Sequence, residues 1–235
     1  MTRSLVDFFE SDQALSVFRE RLVWHVEFQV VDELGNAVDE TEYLIRLARI
    51  AAGQRILDFG CGTGALCIRL AVEHGCSAHG VNISQRQIDT ARLEASTRGL
   101  SGVEFALCDG RVIPCPSETF DAVLFQEALS HVPEKESMLG ELRRVLKPGG
   151  IVAGQEWFLK NASDSEVSMA NEIFRARLVS YRELAAAATA AGLSSVVTID
   201  SSDLGRCSFS SRLDPHARRA LENGSFGVGF FAARR

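Results

Sequence analysis

Apolar positions along the chain change their period near Gly53. Between residues 12 and 31, Leu15, Phe18, Leu22, Val23, Val26 and Val30 recur three or four apart, the stripe of an amphipathic helix. Leu34-Gly35-Asn36-Ala37 reads as a break, and a second helix starts near Thr41 and ends near Gly53. The first 50 residues are therefore predicted to form a helical cap. Beyond Gly53, short apolar runs alternate with helical segments. Strands are predicted over 55–59, 77–81, 103–108, 122–125 and 151–153, with helices over 65–74, 84–98 and 134–146 between them. Continuous apolar runs of this length suit a parallel sheet buried on both faces, wound with right-handed crossovers.

Past Glu156 the rhythm loosens. Residues 161–165 are polar and loop-like, helices are predicted over 166–177 and 180–191, and two final strands over 195–199 and 227–232 are expected to pair antiparallel after the turn signal Asn223-Gly224. The expected fold class is thus α/β, a Rossmann-like, doubly wound, seven-stranded sheet, mostly parallel with the last strand antiparallel. Its core spans 51–235, and residues 157–190 form a lid.

Composition narrows the class. With 235 residues, 46% hydrophobic and 24% charged, the chain can bury a full core. No stretch reaches the roughly 20 apolar residues of a membrane helix, and the start has no secretory signal, so a cytoplasmic protein without membrane insertion is expected. Net charge is −6 and the 25 basic residues form no dense run, which argues against a nucleic-acid partner. The six cysteines include no C-x-x-C pair and no histidine spacing suited to zinc; buried free thiols and no metal are expected.

The turn Asp58-Phe59-Gly60-Cys61-Gly62-Thr63-Gly64 follows the first strand of the alternating region and opens a helix. Glycines there let the backbone bend and approach a ligand, and the helix start offers free N–H groups. A nicotinamide fingerprint would be G-x-G-x-x-G with an acid about 20 residues on. Here the third glycine comes two residues after the second, and the next strand ends in Asn82.

Four segments in order, I-L-D-F-G-C-G-T-G (56–64), C-D-G (108–110), F-D-A-V-L (120–124) and R-R-V-L-K-P-G-G (143–150), resemble the class I methyltransferases over about residues 51–157. The resemblance implies S-adenosylmethionine as cofactor and S-adenosylhomocysteine as product. It implies that Gly60, Gly62 and Gly64 pass under the methionine part, with Asp58 orienting its amino group. Where the family usually carries a ribose-binding carboxylate, this chain has Asn82, followed by Ile83, Ser84 and Gln87; an amide can still donate to one hydroxyl and accept from the other. Asp109 falls at the adenine position, with Gly110 or Arg111 offering backbone contacts, although a turn carboxylate is the plainer role. Gln126 would lie beside the methionine portion, and Phe125 would be core.

The segment around Asn82 and the pair Glu156-Trp157 are similar to the branch that methylates sterols and other small molecules. His131, in Ala-Leu-Ser-His-Val-Pro, stands where many members place an active-site histidine, and histidine can take up a proton near neutral pH. It is either a base or a cap of its loop. Glu156 is expected as an exposed acid facing the acceptor, able to deprotonate a carbocation if an alkene is methylated, or else as a structural hydrogen-bond partner. Trp24, His25 and Phe28 are second-rank candidates for the acceptor pocket or for plain core. The implied function is methyl transfer to O, N or C of a small, partly apolar metabolite, possible in natural-product biosynthesis. The rival readings are a recruited cyclase or isomerase that keeps the pocket without methyl transfer, and a non-catalytic cofactor-binding subunit.

Overall fold

The computed structural model of the protein describes residues 6–7, 10–11, 29–31, 36–173, 175–201, 219–220 and 222–235. Nine strands and six helices lie among the described residues: β1 Gln29–Val31, β2 Ala37–Asp39, α1 Glu40–Leu47, β3 Arg55–Phe59, α2 Ala65–His74, β4 Ser77–Asn82, α3 Gln85–Thr97, β5 Val103–Leu107 and β6 Phe120–Gln126. A 3₁₀ turn, Leu129–His131, follows. The chain continues through α4 Lys135–Val145, β7 Leu146–Leu159, α5 Asp164–Ile173, α6 Tyr181–Ala190, β8 Ser194–Asp200 and β9 Phe226–Arg234.

Seven strands form one sheet in the order β5-β4-β3-β6-β7-β9-β8. β3, β4, β5, β6 and β7 run parallel, and β9 is antiparallel to both β7 and β8. The expected sheet, with its one reversed strand, is the one observed. Chain order places β4 and β5 on one side of β3, and β6 and β7 on the other. The crevice at the carboxyl ends of β3 and β6 is the position where such a fold accepts a ligand.

Alternate residues of each central strand enter opposite layers. Ile56, Leu124 and Phe230 pack with Leu44 of α1, Leu70 of α2 and Ile88 of α3. Leu57, Val123 and Phe231 pack with Leu139 and Leu142 of α4 and Leu184 of α6. This two-sided burial is the reason the strands read as unbroken apolar runs.

Two expectations need correction. The helix predicted over 12–31 does not reach its end, because Gln29–Val31 pairs antiparallel with Ala37–Asp39. Val30 still points into the core, which is why its spacing mimicked a helical stripe. Most of the predicted helix, with Trp24, His25 and Phe28, lies outside the described residues. The fifth parallel strand is also far longer than 151–153. Its pairing with β6 jumps from Phe120↔Leu146 to Ala122↔Ile151, so the Lys-Pro-Gly-Gly turn is an outward bulge within one strand. The strand then runs on to Leu159 along β9.

Among the described residues, no helix is long and apolar enough to cross a membrane. Cys61, Cys67, Cys76, Cys108 and Cys115 are free thiols.

Candidate functional site

The glycine turn leaves β3 at the sheet's carboxyl edge and is tied to its neighbour, since the amides of Gly60 and Cys61 both donate to the Val81 carbonyl of β4 at 2.8 and 3.0 Å. Gly60, Gly62 and Gly64 all have positive φ. Their surroundings differ. A β-carbon on Gly60 would fall inside the Ala128 methyl, and one on Gly64 would lie 2.6 Å from the Phe105 ring. A β-carbon on Gly62 would meet nothing within 4 Å. Packing thus demands two of the glycines, and the middle one faces open space. Gly64 caps α2 in the left-handed conformation without any side-chain cap, which leaves the helix start available to a ligand.

Asp58 ends the strand below this turn. It is 3% exposed and accepts a hydrogen bond from Cys67 Sγ at 3.4 Å. Burial pushes its carboxyl up to about 7, against a weaker opposing effect of the Cys67 bond. The same burial, with Asp58 nearby, holds the Cys61 and Cys67 thiols well above their ordinary range. Neither thiol is a nucleophile near neutral pH.

At the tip of β4, Asn82 Nδ2 donates to Gln87 Oε1 at 2.5 Å. Gln87 sits in the first turn of α3, where Ser84 Oγ accepts from its backbone N–H at 3.2 Å. Its side chain is 1% exposed, and Nε2 has no hydrogen-bond partner. The two amides form a rigid polar tip on the wall next to the glycine turn, and Ile83, half-buried, lies between them in sequence. Past β5, Asp109 is exposed and its Oδ1 accepts from the Arg111 amide at 3.0 Å, a turn-forming bond, with Gly110 at φ 78°. The other carboxylate oxygen is available for a ligand contact.

Gln126 closes β6. Its Nε2 donates to the Thr41 hydroxyl at 3.2 Å, which links the sheet edge to α1. Thr41 is 2% exposed, so the start of α1 packs against the end of β6. The next residue, Glu127, holds φ 49°, a strained conformation for glutamate, and its amide donates to the Gln155 carbonyl at 2.9 Å. Sequence reasoning passed over Thr41 and Glu127. An apolar helix stripe hides the one, and a backbone angle with no composition signal marks the other.

His131 ends the 3₁₀ turn and is half-buried. Its Nδ1 lies 3.3 Å from the Arg175 carbonyl. A carbonyl can only accept, so the neutral ring carries its proton on Nδ1 and its lone pair on Nε2. The Arg177 amide donates to the Ser130 carbonyl at 2.8 Å, so the stretch between α5 and α6 is pinned to the same turn.

Glu156 differs from expectation. It is an internal residue of β7, 2% exposed, and not an acid open to the acceptor. Its Oε1 accepts from the amides of Leu129 and Ser130 at 2.6 and 3.2 Å. Burial raises its carboxyl to about 7 despite the bonds to Ser130. The strand continues past it to Leu159, and Leu129, Ser130, Lys135, Leu178 and Leu184, from segments before and after the strand, line the space around the side chain. Trp157 packs beside Ala170 and Phe226. Among the described residues, no cluster of histidine, cysteine and acidic side chains could hold a metal ion.

A family model described as a methyltransferase domain matches residues 50–196. The methyltransferase GfsG of Streptomyces halstedii is 29% identical over 181 residues, 74% of this chain and 64% of that protein. The sterol 24-C-methyltransferase ERG6B of Gibberella zeae is 37% identical over 125 residues, covering 53% of this chain and 33% of that enzyme. The matches thus span between one third and two thirds of these relatives' own lengths. Among solved structures, the geranyl diphosphate C-methyltransferase of Streptomyces coelicolor, bound to Mg²⁺, geranyl diphosphate and S-adenosyl-L-homocysteine, superposes with a TM-score of 0.75 at 22% identity, over 83% of this chain and 77% of that one. At that identity the likeness concerns the fold.

Proposed function

This chain belongs to the methyltransferase-domain family, and from that premise we propose that it transfers a methyl group from S-adenosylmethionine to an oxygen, nitrogen or carbon atom of a small, partly apolar metabolite. The observation that carries the reading is the glycine turn at the switch point of the sheet, close-packed at Gly60 and Gly64 and open above Gly62. The residues present fit the cofactor. Gly62 leaves room for close approach, Asp58 offers a carboxylate to an amino group, and the Asn82–Gln87 pair carries an unpartnered buried N–H for the ribose side. Asp109 and Gly110 stand at the next strand end for the adenine side, and Gln126 closes the crevice opposite the turn.

S-adenosylmethionine, when bound, supplies a methyl group already activated on a sulfonium. The protein's task is then to align the acceptor, exclude water and remove a proton where the acceptor carries one. His131 suits the last step, because an imidazole takes up a proton near neutral pH and the Arg175 carbonyl accepts from its Nδ1. The helix α1, seated through Thr41 on Gln126, forms the near wall of the acceptor space together with the segment after β7. The acceptor is a small molecule and no nucleic acid, in keeping with the net charge of −6. Buried free thiols support a reducing, cytoplasmic setting.

The test offers a panel of apolar alcohols, amines and alkenes with S-adenosylmethionine and follows S-adenosylhomocysteine. Methylated product with equimolar S-adenosylhomocysteine is expected; product without it would make the chain a cyclase or isomerase, and heat on titration with the cofactor but no product from any acceptor would leave a non-catalytic cofactor-binding subunit. With a proton-bearing acceptor, His131→Ala is expected to keep cofactor affinity and lower turnover by roughly 10²–10⁴-fold. An unchanged rate overturns the base assignment.

A further inference from the structure

The turn that carries His131 is gripped by two buried ionisable side chains, an acid and an amine. A single 3₁₀ turn leaves N–H groups free at its start and carbonyls free at its end, and buried groups of this kind must find partners. Here Glu156 Oε1 takes the Leu129 and Ser130 amides. At the other end Lys135, the first residue of α4 and 9% exposed, donates from Nζ to the carbonyls of Leu129, Ser130 and Val132 at 3.0, 3.4 and 2.7 Å. All three ammonium hydrogens are thus committed to backbone of the same turn. Both residues line one small cavity of about 10 Å³, together with Leu178 and Leu184.

Burying a carboxylate and an ammonium for the sake of three residues is an expensive way to make a loop, and apolar packing would serve stability as well. What the charges provide is direction. Both ends of the turn are fixed, and with them the ring that follows.

We infer that Glu156 and Lys135 are positioning residues, a buried acid and ammonium that clamp the turn Leu129–His131 and hold the His131 ring with Nδ1 on the Arg175 carbonyl. Neither touches the acceptor. The inference deepens the proposed role of His131 and rests on that histidine facing the acceptor, but the clamp itself is read from the ring and not from turnover.

Glu156→Gln keeps an acceptor oxygen for both amides, whereas Glu156→Ala removes it, and Lys135→Met removes all three donors at similar length. Nitrogen-15 spectra of the His131 ring at pH 8, with His131→Ala for assignment and S-adenosylmethionine present, report the tautomer directly. The wild type and Glu156→Gln are expected to show the Nδ1–H form in at least about nine-tenths of molecules; Glu156→Ala and Lys135→Met are expected to show a mixture, with the second tautomer above about one fifth. A ring spectrum unchanged in Lys135→Met overturns the clamp, and that variant decides alone if Glu156→Ala does not fold. If the ring responds as expected while His131→Ala turns over at the wild-type rate, the clamp stands and the base assignment falls. Retention of the wild-type ring spectrum with loss of all methyl transfer in Glu156→Gln would return Glu156 to the role of base and also overturns the inference.

Discussion

The affinity for S-adenosylmethionine is expected to depend on pH through Asp58, and the size of the dependence follows from its burial. The carboxyl is 3% exposed, and its pKa stands near 7 against an ordinary 3.8. About three units at roughly 1.4 kcal/mol each is about 4 kcal/mol against the charged form. The unliganded protein therefore holds Asp58 protonated at pH 6, where about one molecule in ten carries the charge. As far as this group is concerned, the unliganded fold is most stable below the unfolded pKa and loses that contribution as pH rises through about 7. A cofactor whose ammonium pairs with Asp58 needs the carboxylate, so the linkage for binding has the opposite sign: affinity rises with pH up to about 7 and then levels.

Between pH 7.5 and 5.5 the dissociation constant should increase about 20-fold, close to tenfold per unit at the acidic end, with an α-amino group of usual pKa near 8 still about three-quarters protonated at pH 7.5. Calorimetry in two buffers of different ionisation enthalpy should count close to one proton released per cofactor at pH 5.5 and few at pH 7.5. Asp58→Asn, which fills the same space without a charge, should bind at least tenfold more weakly at pH 7.5 and lose the acidic limb. A flat wild-type profile, or the same limb in Asp58→Asn, refutes the pairing. Glu156 also titrates near 7, and the aspartate variant separates the two.

Substitutions in the glycine turn should divide stability from binding. Gly64→Ala places a methyl 2.6 Å from the Phe105 ring at φ 87° and should cost about 2–4 kcal/mol in denaturant unfolding; Gly62→Ala, at φ 53° with no neighbour, should cost about 1–2 kcal/mol yet weaken cofactor binding tenfold or more in the same calorimetry. Asn82→Asp should tighten binding about three- to tenfold, because Gln87 can turn its unpartnered Nε2 onto the new carboxylate and leave the second oxygen for a ribose hydroxyl; weaker binding at pH 7.5 would show that Asn82 does not face the ribose.

Elements buried on both sides were legible because their chemistry is monotonous. Ile56, Leu57, Val123 and Leu124 all had to be apolar, whichever layer each enters, so β3 and β6 announced themselves. The glycine turn was legible for a second reason: a helix begun at Gly64 directly after a strand needs left-handed backbone in a fixed place. The β1–β2 pair was not legible. Val30 packs into the core from a three-residue strand, and a strand so short has no period to distinguish it from a helix.

Glu156 shows where local pattern stops being informative. On the sequence it follows a short strand and precedes a tryptophan, the placement of an acid at a sheet edge. Its surroundings come from elsewhere: the amides it accepts from lie 26 and 27 positions earlier, and Leu178 and Leu184, which line the same space, lie more than 20 positions on. Lys135 is equally silent in the sequence, a lysine among charged residues at a helix start, until the turn before it folds back onto its ammonium. Both residues exchanged exposure for a fixed backbone. Since periodicity records only which side of an element is apolar, a buried charge that serves the backbone of another element leaves no trace in it. The parts of this site proposed to bind a cofactor were thus open to a sequence reading. The parts that hold His131 in place became visible only when a strand, a turn and a helix were brought together.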